Sequence, residues 1–223
     1  MPAEGASVSQ VIVVVGGGTL NAASLAAIDD NALIIAADGG LDHARAADLK
    51  PSMVVGDMDS ISRAGLDWAR DHDVEVRAHP RDKDDTDTAL ALNAARRSGG
   101  RHLLVLGGDG DRLDHTMGTI LALGDHANQH FESINALLGT IHISTVFPGR
   151  TATLDGTEGT TFSLLALHGA CPGVTVVGAR WPLHDATLHA GSTRGVSNLI
   201  THQATVSVAP YPQGATPITV VIP

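Results

Sequence analysis

Asp57 and Asp59 stand two residues apart, just after the apolar run Met53-Val54-Val55 and the glycine that closes it, Gly56; a hydroxyl, Ser60, follows. A short apolar run ended by glycine reads as a buried strand. In an extended segment alternate side chains project the same way, so the spacing predicts that both carboxylates face one cavity. Like charges held that close call for a cation between them, and oxygen ligands suit Mg²⁺. The chemistry on offer is the handling of phosphates through a metal ion. An acidic turn after a strand is the plainer alternative for Asp57-Met58-Asp59 taken alone, and its neighbours weigh against it.

The densest charge cluster is Arg81-Asp82-Lys83-Asp84-Asp85-Thr86-Asp87, immediately before a helix expected from about Thr88 to Arg97. Thr86 or Asp87 is its expected N-cap, and Ser98-Gly99-Gly100 its end. Charges complementing the helix dipole account for one or two of these acids but not for four carboxylates in six residues. A third acidic stretch, Asp109 to Asp114 with Arg112 inside it, follows the apolar run His102 to Leu106 and precedes a helix expected near Thr116. Asp38-Gly39-Gly40 ends the apolar run Ala32 to Ala37, and Gly16-Gly17-Gly18 ends Val11 to Val15. The same order recurs each time: apolar strand, glycine or aspartate, helix.

Continuous β-branched runs such as Val11 to Val15 are the signature of strands covered on both faces of a parallel sheet. Ligands of open parallel sheets bind beyond the carboxyl ends of the strands. Asp38, Asp57, Asp59, Asp84, Asp87, Asp109 and Asp114 all fall at such ends, with Lys83 and Arg112 among them. That convergence describes a Mg²⁺-nucleotide site. From about Ile134 the helical periodicity disappears. Short β-type segments follow, at Thr151 to Leu154, Thr161 to Leu167, Gly173 to Val177, Thr187 to His189, Ala204 to Val208 and Ile218 to Ile222, spaced as in a β-sandwich. The expected fold is α/β, an N-terminal parallel-sheet (Rossmann-like) nucleotide domain over residues 1–147 followed by a C-terminal β-sandwich domain over 148–223. Trp181 lies in the turn-like stretch Gly178 to Leu183, where core filling and a functional aromatic are both open. Gly191 to Asn198 reads as a polar loop, either a hairpin connection or a pocket wall.

The 223 residues suffice for a large core, and 43% hydrophobic against 17% charged places the chain among globular proteins. A formal net charge of −10, with no Lys/Arg run, argues against a nucleic-acid partner. A small anionic substrate stays possible if a metal offsets the repulsion. Cys171 is the single cysteine, so an intrachain disulfide is ruled out. Residues 1–10 have neither a basic nor an apolar leader region, and no apolar run reaches membrane-spanning length, so the expected location is cytoplasmic with no membrane partner.

Ala37-Asp38-Gly39-Gly40, Gly56-Asp57-Met58-Asp59-Ser60, Lys83-Asp84-Asp85-Thr86-Asp87 and Arg112-Leu113-Asp114-His115, in this order and spacing, resemble the thiamine pyrophosphokinase family. Gly178 to Leu183 and the pair Ser197-Asn198 resemble that family's C-terminal β domain, so the likeness runs from about Ile12 to Val221. The resemblance implies a thiamine diphosphokinase, an ATP:thiamine diphosphotransferase that moves the terminal diphosphate of ATP to the hydroxyethyl oxygen of thiamine and releases AMP. It also implies a homodimer with sites between subunits. Carried over residue by residue, Asp57, Asp59, Asp87 and Asp114 serve catalysis, and Asp57, Asp59 and Asp87 hold Mg²⁺. Asp38, Gly39, Thr86 and Arg112 meet ATP. Asp84 joins them, although the acids before Thr86 align with the family pattern in more than one way. Trp181, Ser197 and Asn198 hold thiamine. The chain departs from the family at Met58, where an aromatic is usual, and at Gly110-Asp111-Arg112, where many members carry Gly-Gly; this leaves Asp109 and Asp111 without assigned roles. Two other classes fit part of the pattern. A nucleotide-sugar glycosyltransferase also uses Asp-x-Asp with a metal but leaves Thr86-Asp87 and Arg112-Asp114 unexplained. A non-catalytic Mg-nucleotide sensor binds ATP and makes no AMP.

Overall fold

The computed structural model describes residues 8–107, 110, 112–210 and 215–223; Asp109 and Asp111 lie outside the described residues. The chain has a mixed α/β fold with a large sheet. It divides into two compact units, residues 1–122 with 137–139 and residues 123–136 with 140–223. The change in sequence texture suggested a division at 147. The strand Ile141–Val146 instead belongs with the second unit because it pairs along its length with the strand Ile218–Ile222.

In the first unit β1 (Gln10–Val14), β2 (Leu33–Ala37), β3 (Met53–Gly56), β4 (Glu75–Ala78) and β5 (His102–Leu106) are all parallel, in the order β5-β1-β2-β3-β4. The β-branched and leucine-rich runs are buried on both faces, as Val11 to Val14 show with no exposed surface. Only β4 is exposed, and it carries the charged pair Glu75 and Arg77 that befits a sheet edge. Helices α1 (Ala22–Ala26), α2 (Gly40–Ala46), α3 (Arg63–Asp71), α4 (Asp87–Arg97) and α5 (Leu113–Leu123) connect the strands. Helix α4 carries its apolar side, Ala91, Leu92, Ala94 and Ala95, against β1, β2 and β3. Trp68 on α3 packs on the cluster of Ala36, Leu41, Val54 and Ala69, the amphipathic packing its helix pattern suggests. Helix α5 begins at Leu113, three residues before the expected start, because the Arg112 carbonyl already accepts from the N–H groups of His115 and Thr116.

The strand order decides where a ligand can enter. The chain steps outward from β1 to β4, then crosses back to lay β5 on the other side of β1. The loops after β1 and β5 therefore leave the sheet in opposite senses and open a crevice between them.

Residues 133–136 of β6 (Ser133–Leu138) belong to the second unit, where β7 (Ile141–Val146), β8 (Thr151–Thr153), β9 (Thr161–Leu165), β10 (Cys171–Ala179), β11 (Leu183–Leu188), β12 (Asn198–Val208) and β13 (Ile218–Ile222) follow one another. Strand β10 pairs with β11 and β12, β12 with β8 and β9, and β13 with β7 and β9, all antiparallel. Val146, Phe162, Leu164, Val174, Val176, Val206, Ile218 and Val220 form its core. Strand β12 is longer than expected: it begins at Asn198, the last residue of the predicted polar loop, six residues before Ala204. Cys171 is buried within this unit, and burial pushes its thiol up to about 11, so it stays protonated and unreactive at neutral pH. Among the described residues no helix is long and apolar enough to cross a membrane.

Candidate functional site

Three strand ends supply the carboxylates. Gly56 closes β3 at a position where a Cβ would lie 2.9 Å from the Asp38 Cβ and 3.0 Å from the Asp87 carboxyl carbon, so only glycine lets these two acids approach each other. Met58 has φ of 64°, and the segment Asp57-Met58-Asp59 is a left-handed turn rather than the extended stretch expected. The turn still brings its carboxylates together, with the Asp59 N–H donating to Asp57 Oδ1 at 3.3 Å. One oxygen from each of Asp38, Asp57 and Asp59 lies within 4.8 Å of the others. Asp38 is 6% exposed; its Oδ2 accepts from the Ser60 N–H at 3.2 Å, while its Oδ1 is buried with no protein partner. Burial raises the Asp38 pKa above the ordinary carboxylate value, hydrogen bonds from Ser60 oppose the shift, and the neighbouring charges of Asp87 and Asp57 add to it. A buried, unpartnered carboxylate oxygen beside two further acids fits a hard divalent cation with oxygen ligands.

Lys83 stands in the same cluster. Its Nζ lies 2.8 Å from Asp57 Oδ2 and 3.1 Å from Asp87 Oδ1, with the side chain only 14% exposed. The hydrogen bond from Lys83 outweighs desolvation, which acts the other way, and holds the Asp57 carboxyl below its usual range. Asp87 is the first residue of α4, and Thr86 before it caps the helix, its Oγ1 accepting from the Ala89 N–H at 3.2 Å. Arg81 approaches Asp59 at 3.3 Å.

Asp38, Ser60, Arg81, Lys83, Thr86 and Asp87 line a cleft of about 1040 Å³, together with Gly16 to Gly18 and Arg112; Asp57 and Asp59 stand beside it and do not line it. Its place is the crevice between the loops after β1 and β5, which pack closely: a Cβ on Gly110 would come 3.0 Å from the Gly17 Cα. Gly39 lies on the same wall as Asp38. Arg112 grips Asp114 with two parallel bonds, Nε to Oδ1 at 3.0 Å and Nη2 to Oδ2 at 2.6 Å, and this pairing holds the Asp114 carboxyl down at about 2. Asp114 thus acts on the guanidinium beside it. Asp84 is exposed and does not line the cleft, whereas Asp85 does.

In the second unit Trp181 is 54% exposed, an unusual place for one of only two tryptophans. The Arg180 guanidinium lies 5.2 Å from the centre of its ring. Ser197 is exposed with φ of 62°, and its N–H donates to Ser163 Oγ at 3.2 Å. Asn198 is buried, and its side-chain amide bonds to the main chain of Trp181.

Two family models match this chain, the thiamin pyrophosphokinase catalytic domain over residues 25–135 and the thiamin pyrophosphokinase vitamin B1 binding domain over residues 150–210. The chain belongs to the thiamin pyrophosphokinase family. It is similar to Thiamine pyrophosphokinase 1 of Oryza sativa subsp. japonica, 26% identical over 162 residues, which are 68% of this chain and 60% of the rice protein. The chain therefore spans less than two thirds of that curated relative. Among solved structures, the thiamine pyrophosphokinase of Bacillus subtilis superposes with a TM-score of 0.79 at 22% identity, covering 96% of this chain and 98% of that one. That of Candida albicans gives 0.76 at 16% identity, covering 96% and 88%. At these identities the two likenesses speak to the fold.

The structure gives several of the named residues parts that spacing alone does not foretell. Ser60 was named as a hydroxyl near two acids, yet its N–H is what holds Asp38 in place. Lys83 was seen as a charge in a cluster, and no spacing rule foretells its bridge between Asp57 and Asp87. Asp38 was assigned to the nucleotide, whereas the structure puts it, not Asp87, in the group of three acids that could share a cation. His43 lines the cleft along with His115, the one histidine the sequence placed near the chemistry. A nucleotide-sugar glycosyltransferase finds no support, since thiamin pyrophosphokinase models cover residues of both units.

Proposed function

We propose that the chain is a thiamine diphosphokinase, an ATP:thiamine diphosphotransferase yielding thiamine diphosphate and AMP. The observation that carries this reading is the group formed by Asp38 after β2 with Asp57 and Asp59 after β3, beside a cleft at the switch point of a parallel sheet that Asp38 and Asp87 line, in a chain of this family. We read the first unit as a Rossmann-like catalytic domain for Mg·ATP and the second as a β-sandwich domain for thiamine. The family resemblance supports a homodimer with sites shared between subunits, and the lone cysteine accords with a cytoplasmic enzyme.

Asp57 and Asp59, with Asp38 and Asp87 beside them, would hold Mg²⁺. The ion, when bound, would neutralise phosphate oxygens and make phosphorus more open to attack. Everything else falls to the protein. The thiamine hydroxyl oxygen forms a bond to the β-phosphorus while the bond from that phosphorus to the oxygen bridging the α-phosphate breaks; AMP leaves and the hydroxyl proton is lost. Such transfers ask for alignment and charge neutralisation more than covalent help. Arg112, preset by Asp114, supplies a fork of donors for phosphate oxygens, and Thr86 with Asp38 and Gly39 shapes the nucleotide wall. Asp84 stands at the margin of this role. Trp181 offers an indole face to the permanently cationic thiazolium, and Ser197 offers a hydroxyl next to it.

Incubation with Mg·ATP should release AMP only when thiamine is present, and exhaustive chelation should stop it. A nucleotide sensor would give no AMP under any of these conditions, and that outcome defeats the reading. Trp181→Ala should raise the KM for thiamine roughly tenfold and leave that for ATP unchanged, since it removes a stacking surface alone. Equal movement of both constants would return Trp181 to a structural role.

A further inference from the structure

We infer that Asn198 is a positioning residue, which fixes the main chain of Trp181 and does not itself touch the substrate; the inference rests on the reading of Trp181 as the thiamine-stacking aromatic. All the hydrogen bonds recorded for this amide are spent on the backbone. Asn198 Oδ1 accepts from the Trp181 N–H at 3.1 Å and from the Leu199 N–H at 2.9 Å. Asn198 Nδ2 donates to the Trp181 carbonyl at 2.7 Å. Both lone-pair directions of Oδ1 are used, and one of the two amide hydrogens. The orientation of the amide is fixed by these partners, because two N–H groups face one atom and a carbonyl faces the other. At 7% exposure, little of this residue is left for a ligand to reach.

The need for the clamp follows from the strand geometry. The β10–β12 ladder is regular from Val174↔Val208 to Val177↔Thr205, then breaks before Ala179↔Ile200. Gly178, with φ of 77°, sits at the break, where a Cβ would lie 2.3 Å from the Gln203 carbonyl oxygen. One last main-chain bond follows, from the Arg180 N–H to the Leu199 carbonyl at 2.9 Å. Beyond it the ladder has no partner for Trp181, and the side-chain amide of Asn198 takes the place of a peptide group. It satisfies the N–H and C=O of Trp181 together, as a neighbouring strand would. A ring that is mostly exposed is in this way carried on backbone as well anchored as the sheet. Ser197, one residue earlier, adopts the left-handed conformation and is tied to Ser163, leaving its own side chain exposed. The pair Ser197-Asn198 thus divides its labour: the serine side chain faces solvent, the asparagine faces the backbone.

Only asparagine meets these demands at this length. Aspartate keeps the acceptor and loses the donor, and it sets a carboxylate oxygen against the Trp181 carbonyl. A double-mutant cycle separates positioning from contact. Asn198→Ala should raise the thiamine KM about tenfold with the ATP KM within about twofold, and Asn198→Ala in the Trp181→Ala background should add no further loss beyond about twofold. Asn198→Asp should fall on the same side as Asn198→Ala. In a Trp68→Phe background, the emission anisotropy of Trp181 should drop in both Asn198 variants, a signal that loss of a substrate contact would not produce. Additive losses in the cycle, or unchanged anisotropy, overturn the inference in favour of direct contact. If Asn198→Ala fails to fold, Asn198→Asp decides by the same two measurements. Wild-type AMP formation with a thiamine KM indifferent to Trp181→Ala overturns this role and leaves the activity standing. Absence of AMP formation defeats the activity, and the anisotropy still decides whether Asn198 holds Trp181.

Discussion

Asp57→Asn should lower the turnover of AMP formation by at least ~10²-fold, the scale on which losing one preorganised electrostatic contributor acts. Asp57 is the residue common to both charge systems of the site: it belongs to the group with Asp38 and Asp59 and it pairs with Lys83. Asparagine preserves its shape and can still accept from Lys83, so the fold should survive and the thermal midpoint should move little. What disappears is one negative charge from the cation site. Steady-state rates at saturating Mg·ATP and thiamine, alongside a thermal melt and Mn²⁺ titration, check the outcome. A variant of normal activity and normal Mn²⁺ affinity would reduce Asp57-Met58-Asp59 to an acidic turn.

Gly56→Ala should have a comparable effect for a steric reason. The added Cβ would meet the Asp38 Cβ at 2.9 Å and the Asp87 carboxyl carbon at 3.0 Å, and it would sit on backbone with φ of 151°. Neither neighbour can retreat freely, because Asp38 is tied to the Ser60 N–H and Asp87 opens a helix packed on the sheet. Overpacking of this kind costs about 1–3 kcal/mol of stability. A displacement of catalytic groups by about 1 Å can cost ~10² in rate. The variant should therefore remain folded at room temperature, melt several degrees lower and turn over about 10²-fold more slowly. Unchanged kcat would show that the approach of Asp38 to Asp87 has no part in catalysis.

Much of this site can be read in the sequence because it is built at strand ends, where apolar runs and their glycines mark the places. Asp38, Asp57, Asp59 and Asp87 could be named together for that reason alone. The manner of their meeting could not. Period-two alternation foresaw a shared direction for Asp57 and Asp59, while the chain uses a left-handed Met58, a conformation that a methionine does not advertise. Lys83 stands out in the sequence as a cation among the acids, but its bridge does not, because it depends on distances between the end of β3 and the start of α4 that no local pattern encodes. In the second unit the error ran the other way. Asn198 closed the expected polar loop, and the short apolar pair Leu199-Ile200 followed by the polar Thr201-His202-Gln203 hid the start of β12, which is held by pairing with β9 and β10. The resemblance that marks Asn198 does not tell a group that binds from a group that holds the binder.

The pairing of β5 with β1, from Gln10↔His102 to Val14↔Leu106, also has a consequence for how the protein comes into being. The strands that flank the crevice are roughly ninety residues apart in the chain, and joining them closes a long loop, an entropic cost that grows slowly with length but delays the contact. A growing polypeptide released only as far as β4 contains Asp38, Asp57 and Asp59 but lacks the opposite wall with Gly110 and Arg112. The nucleotide pocket is therefore completed only once β5 and the start of α5 have been made. A ligand that needs both walls selects fully folded molecules and protects them against unfolding by mass action.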